Sequence, residues 1–457
     1  MQKNNIQIKL GQQLLITIKR LGINGEGIGY YKRKIVFVPR ALPTEIVIVE
    51  VSNVHPKYIE ATLIRIKKSS SSRVEPRDKY TVGGIELEHL AYSKQLEFKR
   101  DVIAQSLEKF KPLGYDKYEL RPTLGMKVPY NYRNKAQFQV QKNKAGKIIA
   151  GLYRENSHYL VDLPTFSTQT ALTMKIIREV CLLLQKWNIP IYDEKRNTGI
   201  VRTIVVRESF AYQNAQLVFV THTEKFPQLN NLIADIKTKL PEVVSIMQNI
   251  NKSKTSLVWG ERTQLIYGKE YLMEKLGELQ FKLSARAFFQ LNPKQTLVLY
   301  DQVKEALKLQ ATETLIDAYC GVGTIGLYVS DQAKEIRGMD VIPESIRDAK
   351  ENARLGNRKN TKYFVGHAEK LIPQWVKDGF VADALVVDPP RTGLDKELIT
   401  AILKFKPRKF VYVSCNPSTM ARDLVLLAQI YNVNYVQSID MFPQTARVEA
   451  VVSLTLK

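Results

Sequence analysis

The chain has 457 residues, 44% of them hydrophobic and 25% charged, an ordinary globular composition with room for roughly two to four domains with cores of their own. Its net charge of +23 is not ordinary and points to a polyanionic partner, nucleic acid above all. Three widely spaced cysteines, Cys181, Cys320 and Cys415, exclude a disulfide framework and a cysteine-rich metal site and suit a reducing cytoplasm; no run approaches the ~20 apolar residues of a membrane helix, and Met1 to Leu10 carry no apolar signal core.

Residues 1–67 predict an all-β domain. Short β-branched runs at Leu14–Ile18, Lys34–Val38, Glu45–Val51 and Tyr58–Ile64 are punctuated by Gly22, Gly25, Gly27, Gly29 and the Pro39–Pro43 segment. Regular short strands in so small a segment suggest a closed OB-like barrel, a fold that commonly binds oligonucleotides. Gly25-Glu26-Gly27-Ile28-Gly29 lacks the strand–turn–helix setting of a phosphate loop. The stretch Leu21 to Glu45 resembles the TRAM domain, a small RNA-binding barrel appended to RNA-modifying enzymes.

Residues 68–75, polar and basic around Ser69–Ser72, read as a mobile linker. Residues 76–280 read as an α+β central domain that binds RNA. Leu96, Val102, Ile103, Leu107 and Phe110 recur at helical spacing. Tyr130 to Phe138 interleaves aromatics, amides and cations, the side chains that grip single-stranded RNA; a strand with a solvated face gives the same pattern. Arg202–Arg207, Ala215–Thr221 and Val243–Asn249 predict strands, with helices near 170–187 and 226–239.

Residues 281–457 alternate strand and helix, which predicts an α/β, doubly wound, Rossmann-like domain. Thr314–Ala318 is a buried strand running into Cys320-Gly321-Val322-Gly323-Thr324-Ile325-Gly326, a GxGxxG turn. Glu335–Asp340 is a second strand ending in an acid about 20 residues past the first glycine, where such a fold holds a ribose hydroxyl. That combination marks a nucleoside-bearing cofactor, either NAD or S-adenosylmethionine. Asp388-Pro389-Pro390-Arg391 ends the next strand, and its two prolines stiffen the turn that aims Asp388 into the crevice. Tyr435–Ile439 and Val448–Leu454 read as a closing strand pair.

Val411-Tyr412-Val413-Ser414-Cys415-Asn416-Pro417 is a buried strand that delivers a cysteine to its tip, with Ser418 or Thr419 placed to cap the following helix. A cysteine beside a helix N-terminus can have a lowered pKa and serve as a nucleophile; a small buried core cysteine fits the stretch equally well.

Five ordered motifs carry a resemblance to a known family. Phe288-Phe289-Gln290-Leu291-Asn292-Pro293, Asp317 to Gly323, Asp388 to Gly393, Ser414-Cys415-Asn416-Pro417 and Asp440 to Glu449 resemble the RNA uracil-5-methyltransferases, in particular their bacterial 23S rRNA branch. The resemblance implies methyl transfer from S-adenosylmethionine to uracil C5, with Cys415 as nucleophile toward C6 and Glu449 as the base. It implies that Gln290, Tyr319, Asp340 and Asp388 contact the cofactor, alongside Gly321 and Gly323 of the glycine turn. It further implies 23S rRNA as substrate, a uridine in a loop or flipped out of its stack, a cytoplasmic monomer, and in some Gram-positive relatives action at two sites. A tRNA T-loop is the alternative substrate, against which the TRAM-like barrel weighs. A non-catalytic RNA-binding factor and an NAD-dependent oxidoreductase are the readings of other kinds.

Many relatives carry an iron–sulfur cluster on four cysteines. Here Val82 and Ile85 stand at two of those places and Phe166 at the fourth, so no cluster and no other metal is expected, with apolar packing instead. Arg447 occupies a place where relatives often have histidine.

Overall fold

The computed structural model describes residues 8–155 and 157–457. The N-terminal strands are Gln13–Thr17, Arg20–Leu21, Gly27–Tyr31, Lys34–Val38, Ile46–Val54 and Tyr58–Lys68. Alternate residues such as Leu14, Ile16, Val36, Val38, Val47 and Val49 point inward to one apolar core, as period-two patterning requires. Thr17 pairs with Ile46 and Arg20 pairs with Ile28, so one bent stretch joins the two edges and closes the sheet. Gly27–Tyr31, read from sequence as punctuation, is a strand. Gly29 is needed there for close approach, since a Cβ would lie 2.2 Å from Ile16 Cγ2.

The segment expected to be a mobile linker is tied down. Glu45, fully buried, accepts from Arg73 Nε (2.7 Å), Arg73 Nη2 (2.9 Å) and Ser70 N (3.2 Å). Low sequence complexity does not reveal a partner carboxylate more than twenty residues upstream.

The central sheet has seven strands in the order Leu160–Asp162, Ile148–Tyr153, Lys135–Lys142, Val201–Ser209, Asn214–Thr221, Val243–Ile250, Arg262–Gly268. Helices Ala171–Lys186 and Leu229–Lys239 bury their apolar stripes on one face, where Phe138 and Val206 meet Ile177 and Ile236. Val82, Ile85 and Phe166 join that same cluster. Residues on the opposite face, among them Val205, Val218 and Met247, pack toward Ala285 and the C-terminal domain.

The C-terminal sheet has eight strands in the order Thr361–Val365, Glu335–Asp340, Thr314–Ala318, Ala384–Val387, Lys409–Ser414, Glu449–Leu456, Tyr431–Ile439, Glu119–Leu124. Glu449–Leu456 runs antiparallel to its two neighbours and the other pairings are parallel. Helices cover both faces, so the central strands Thr314–Ala318, Ala384–Val387 and Lys409–Ser414 are buried almost throughout, as in doubly wound sheets.

One stretch changes allegiance. Helix Tyr92–Phe110, expected with the central block, and strand Glu119–Leu124, unread within the same range, go with the C-terminal sheet. Phe98, Val102, Ile103 and Leu107 bury with Leu424, Leu427 and Tyr431. The helical period was correct, but nothing local in a sequence states which sheet an apolar stripe covers.

Candidate active site

Parallel strands deliver their tips to one edge of a sheet. Tyr319 follows Thr314–Ala318, Asp340 ends Glu335–Asp340, Asp388 follows Ala384–Val387, and Cys415 follows Lys409–Ser414. Because Glu449–Leu456 runs the other way, its first residue lies at that same edge. Ser414 is the register partner of Ala450, which sets Cys415 beside Glu449. All the strand-tip residues picked from sequence therefore share one mouth.

Each tip is held by local chemistry. Asn416, not Ser418 or Thr419, caps helix Pro417–Leu427: its side chain accepts from Ser418 N at 3.1 Å, and Pro417 occupies the first turn, where no amide is missed. Asn416 Nδ2 also donates to Arg391 O (2.9 Å), joining the cysteine turn to the Asp-Pro-Pro-Arg turn. Asp423 accepts from Leu394 N and Tyr412 OH, both at 2.8 Å, and braces the same turn from below.

Asp340 accepts from Gly321 N (3.1 Å) and Ile342 N (2.9 Å), so the acid at the second tip fixes the glycine turn at the first. Gly326 lets helix Thr324–Val329 approach its strand: its amide donates to Asp317 at 2.8 Å, and a Cβ there would meet that carboxylate at 2.9 Å. Tyr319 adopts a left-handed φ of 64°, uncommon for a side-chain-bearing residue and typical of functional turns. Gln290 is buried, and its backbone oxygen accepts from Asn134 Nδ2 of the central domain at 3.1 Å.

The electrostatics run against one sequence expectation. The Cys415 thiol is pushed up to about 12, not lowered, by burial and by the carboxylates of Glu449 and Asp388; Arg391 pulls the other way. The helix N-terminus is outweighed by desolvation and two nearby anions. Asp388 and Glu449 are two buried carboxyl groups, and the charge of Asp388 acts on Glu449. Burial raises both, and the charge of Asp388 raises Glu449 further, so the pair gives up its protons less readily than ordinary carboxylic acids. Among the described residues burial and charge, and no hydrogen bond from the protein, set the shifts of both carboxyl groups.

The site fits an adenosine-bearing cofactor. A Cβ built on Gly321 would meet open space, Asp340 is partly exposed, and the apolar side chains of Val341 and Ile342 are half exposed beside it. Phe288, two residues before Gln290, is 60% exposed, and its neighbour Phe289 is buried.

Reading the sequence missed one group, Lys99, and gave another, Asp317, no role of its own. Lys99, with no exposed surface, forms an ion pair with Asp440 behind the strand that leads to Glu449, and also donates to Phe442 O at 2.9 Å. Its place on the buried stripe of its helix, with Gln95, Val102 and Ser106, was the available signal. Asp317, fully buried below the glycine turn, is pushed up to about 7 by burial.

A doubly wound sheet with one antiparallel strand, a glycine turn, an acid at the second tip and helices on both faces defines a Rossmann-like methyltransferase domain. Comparison with known proteins agrees. Residues 250–457 match the family model described as tRNA (Uracil-5-)-methyltransferase, and residues 7–64 match the TRAM domain. A protein of Lactiplantibacillus plantarum named as an RNA methyltransferase is 58% identical over 99% of this chain and 95% of its own length. One of Enterococcus faecalis, similarly named, is 54% identical over 98% of this chain and 99% of its own. The crystal structure of Pyrococcus abyssi tRNA (uracil-54, C5)-methyltransferase with S-adenosyl-L-homocysteine is 27% identical and superposes with a TM-score of 0.78 over 97% of this chain and 100% of that one. The chain belongs to the uracil-5 RNA methyltransferase family and is an S-adenosylmethionine-dependent RNA methyltransferase carrying an N-terminal TRAM domain.

Proposed function

We propose that this enzyme methylates C5 of uridine in 23S rRNA through a covalent bond between Cys415 and uracil C6, with Glu449 as the base. The observation that carries the reading is the adjacency of a thiol and a buried carboxylate at one mouth, imposed by the Ser414–Ala450 pairing. Uracil C5 is a poor nucleophile. Addition of Cys415 Sγ to C6 makes C5 enolate-like, so that it can take a methyl group. S-adenosylmethionine supplies that methyl as a sulfonium electrophile. Glu449 then takes the C5 proton, the C6–S bond breaks, and Cys415 is regenerated as a thiolate. Gln290, Tyr319, Gly321, Gly323, Asp340 and Asp388 hold the cofactor, and Asp388 also faces the uracil. The enzyme works as a monomer on a uridine presented in a loop or flipped from its stack, at a cost of roughly a few kcal/mol met by phosphate contacts.

A tRNA substrate is the second reading, favoured by the archaeal structure. That alignment spans 97% of the chain and therefore includes the barrel, so the barrel no longer weighs against tRNA. The motifs resembling the 23S rRNA branch keep rRNA first. The test is tritium release from [5-³H]uridine-labelled 23S rRNA and tRNA, each taken from cells lacking the enzyme. Release from rRNA alone, abolished by Cys415→Ala, supports the first reading, and release from tRNA alone replaces it with the second. Release from neither sinks both.

A further inference from the structure

Three cations gather where the central sheet faces the catalytic domain, and no carboxylate pairs with them. Lys135 and Arg207 are register partners on neighbouring strands and so point to the same face; Arg133 lies two residues before Lys135, just ahead of the strand. Arg207 is only 3% exposed, and its Nη2 donates to Ala287 O. Its Nη1 is buried without a partner, as is Nε of Arg133. Among the described residues none of the three forms a salt bridge. The carboxylates nearest Arg207 in charge, Asp348 and Glu274, are already engaged. Asp348 takes the Ser284 amide (3.2 Å) and hydroxyl (2.8 Å), and Glu274 takes the amides of Phe210 (2.9 Å) and Ala211 (3.1 Å) and the Ser209 hydroxyl (3.0 Å).

Burying a guanidinium with an orphaned nitrogen is costly, and crowding it with two more cations raises the cost. The crowding shows at Lys135, which is driven down to about 7 by burial and by the charges of Arg207 and Arg133. An anion relieves all of these penalties together, and Arg133 and Lys135 are both partly exposed. The position matters as well: Ala287 lies three residues before Gln290, and Asn134, between Arg133 and Lys135, bonds the backbone of both Gln290 and Leu291.

We propose that Arg133, Lys135 and Arg207 form a binding site for a backbone phosphate of the RNA substrate, seated between the central domain and the catalytic mouth. The site rests on RNA being the substrate, not on uracil C5 being the target atom. Its chemistry is that of an oxyanion held by two guanidiniums and an ammonium, with the buried Nη1 and Nε atoms as donors. The cofactor's own carboxylate is the other oxyanion of the reaction, and the test separates the two.

The test measures binding of a short fluorescent oligouridylate across a salt series, and separately of radiolabelled S-adenosylmethionine without RNA. Both use the Cys415→Ala protein, so that turnover plays no part. Arg133→Gln and Lys135→Gln, each added to that background, are expected to weaken oligouridylate binding about tenfold. Each should reduce the slope of log affinity against log salt by about one while leaving cofactor affinity unchanged. Arg207→Lys, which keeps a charge but loses the fork, should weaken binding less than Arg207→Gln. If the buried Arg207 variants unfold, the two partly exposed positions still decide. Unchanged oligouridylate affinity in both Arg133→Gln and Lys135→Gln overturns the site, and so does weakened cofactor binding with RNA binding intact. Loss of RNA binding in a protein whose wild type releases no tritium leaves the phosphate site standing and removes only the uracil-C5 reading.

Discussion

Ser414 and Ala450 face each other across antiparallel strands, which places a thiol and a carboxylic acid side by side one residue further on. The pair is mutually antagonistic in the free enzyme. Glu449 and Asp388 hold the Cys415 proton on, and Arg391 opposes them. Removing a negative charge must therefore increase the thiolate fraction at fixed pH, and removing the cation must decrease it. Asp388→Asn should speed iodoacetamide alkylation of the Cys415 peptide, read by mass spectrometry at pH 8, and Arg391→Met should slow it. Each unit of pKa change is about tenfold in thiolate. Equal rates in all three proteins would show that burial alone sets the thiol.

The same groups predict the pH profile of turnover. In the proposed mechanism Cys415 reacts as thiolate and Glu449 as carboxylate, and both are held protonated by burial and by neighbouring acids. Tritium release should rise steadily from pH 6 to pH 9, since the thiolate fraction grows tenfold per unit below a pKa of about 12. Glu449→Gln keeps the thiol but loses the base. It should methylate RNA and remain covalently attached to it, seen as a shifted band on a denaturing gel, with release down about 10²–10⁴-fold. A rate maximum near pH 6 would contradict the assignment of both groups.

Much of this mouth is legible in the sequence because it lies on local patterns. Apolar runs ending in Asp340, Asp388 and Cys415 state both a buried strand and its chemical tip. Glu449 is different. Read alone it is an exposed strand carboxylate, and only the reversed direction of its strand carries it to the tips of the others, a fact of non-local register. The same limit hid strand Glu119–Leu124 in the wrong block and left Thr361–Val365, a short strand among charged residues, unread. Lys99 was hidden for another reason: a lysine on an apolar stripe reads as an interruption until its partner, more than three hundred residues later, is known.

Asp317 tests the cost of the glycine turn. Its folded pKa, about 7, lies above the unfolded value of a carboxyl group near 4, so the folded state binds the extra proton between those limits. The sign follows: its contribution is favourable below pH 4 and lost as pH rises through 7. Asp317→Asn carries no such titration. The variant should match wild type in urea stability at pH 4, gain on it progressively up to about pH 7, by at most roughly 1.4 kcal/mol per pH unit, and hold a constant lead above that. An amide placed with its oxygen toward Gly326 N keeps the 2.8 Å hydrogen bond. A gap that stays constant from pH 4 to pH 7 would mean that Asp317 is already ionised at pH 4.

Lys99 and Asp440 are both without exposed surface, and Asp440 has one other donor, Tyr92 OH at 2.8 Å, which itself accepts from Met126 N at 2.7 Å. Lys99→Met strands the Asp440 carboxylate in the core with Tyr92 alone. Removing one member of a buried pair costs about 3–5 kcal/mol, so thermal unfolding should begin well below that of wild type. Lys99→Met with Asp440→Asn replaces the pair by neutral groups and should recover most of the loss. Stability alone does not separate this pair from any other buried one, but Glu449 does. Lys99 is one of two cations that lower the Glu449 pKa. In the double variant, stable enough to assay, that cation is gone, so the rise of tritium release with pH should move to higher pH. Restored stability with an unmoved profile would make the pair a brace for the strand end and nothing more.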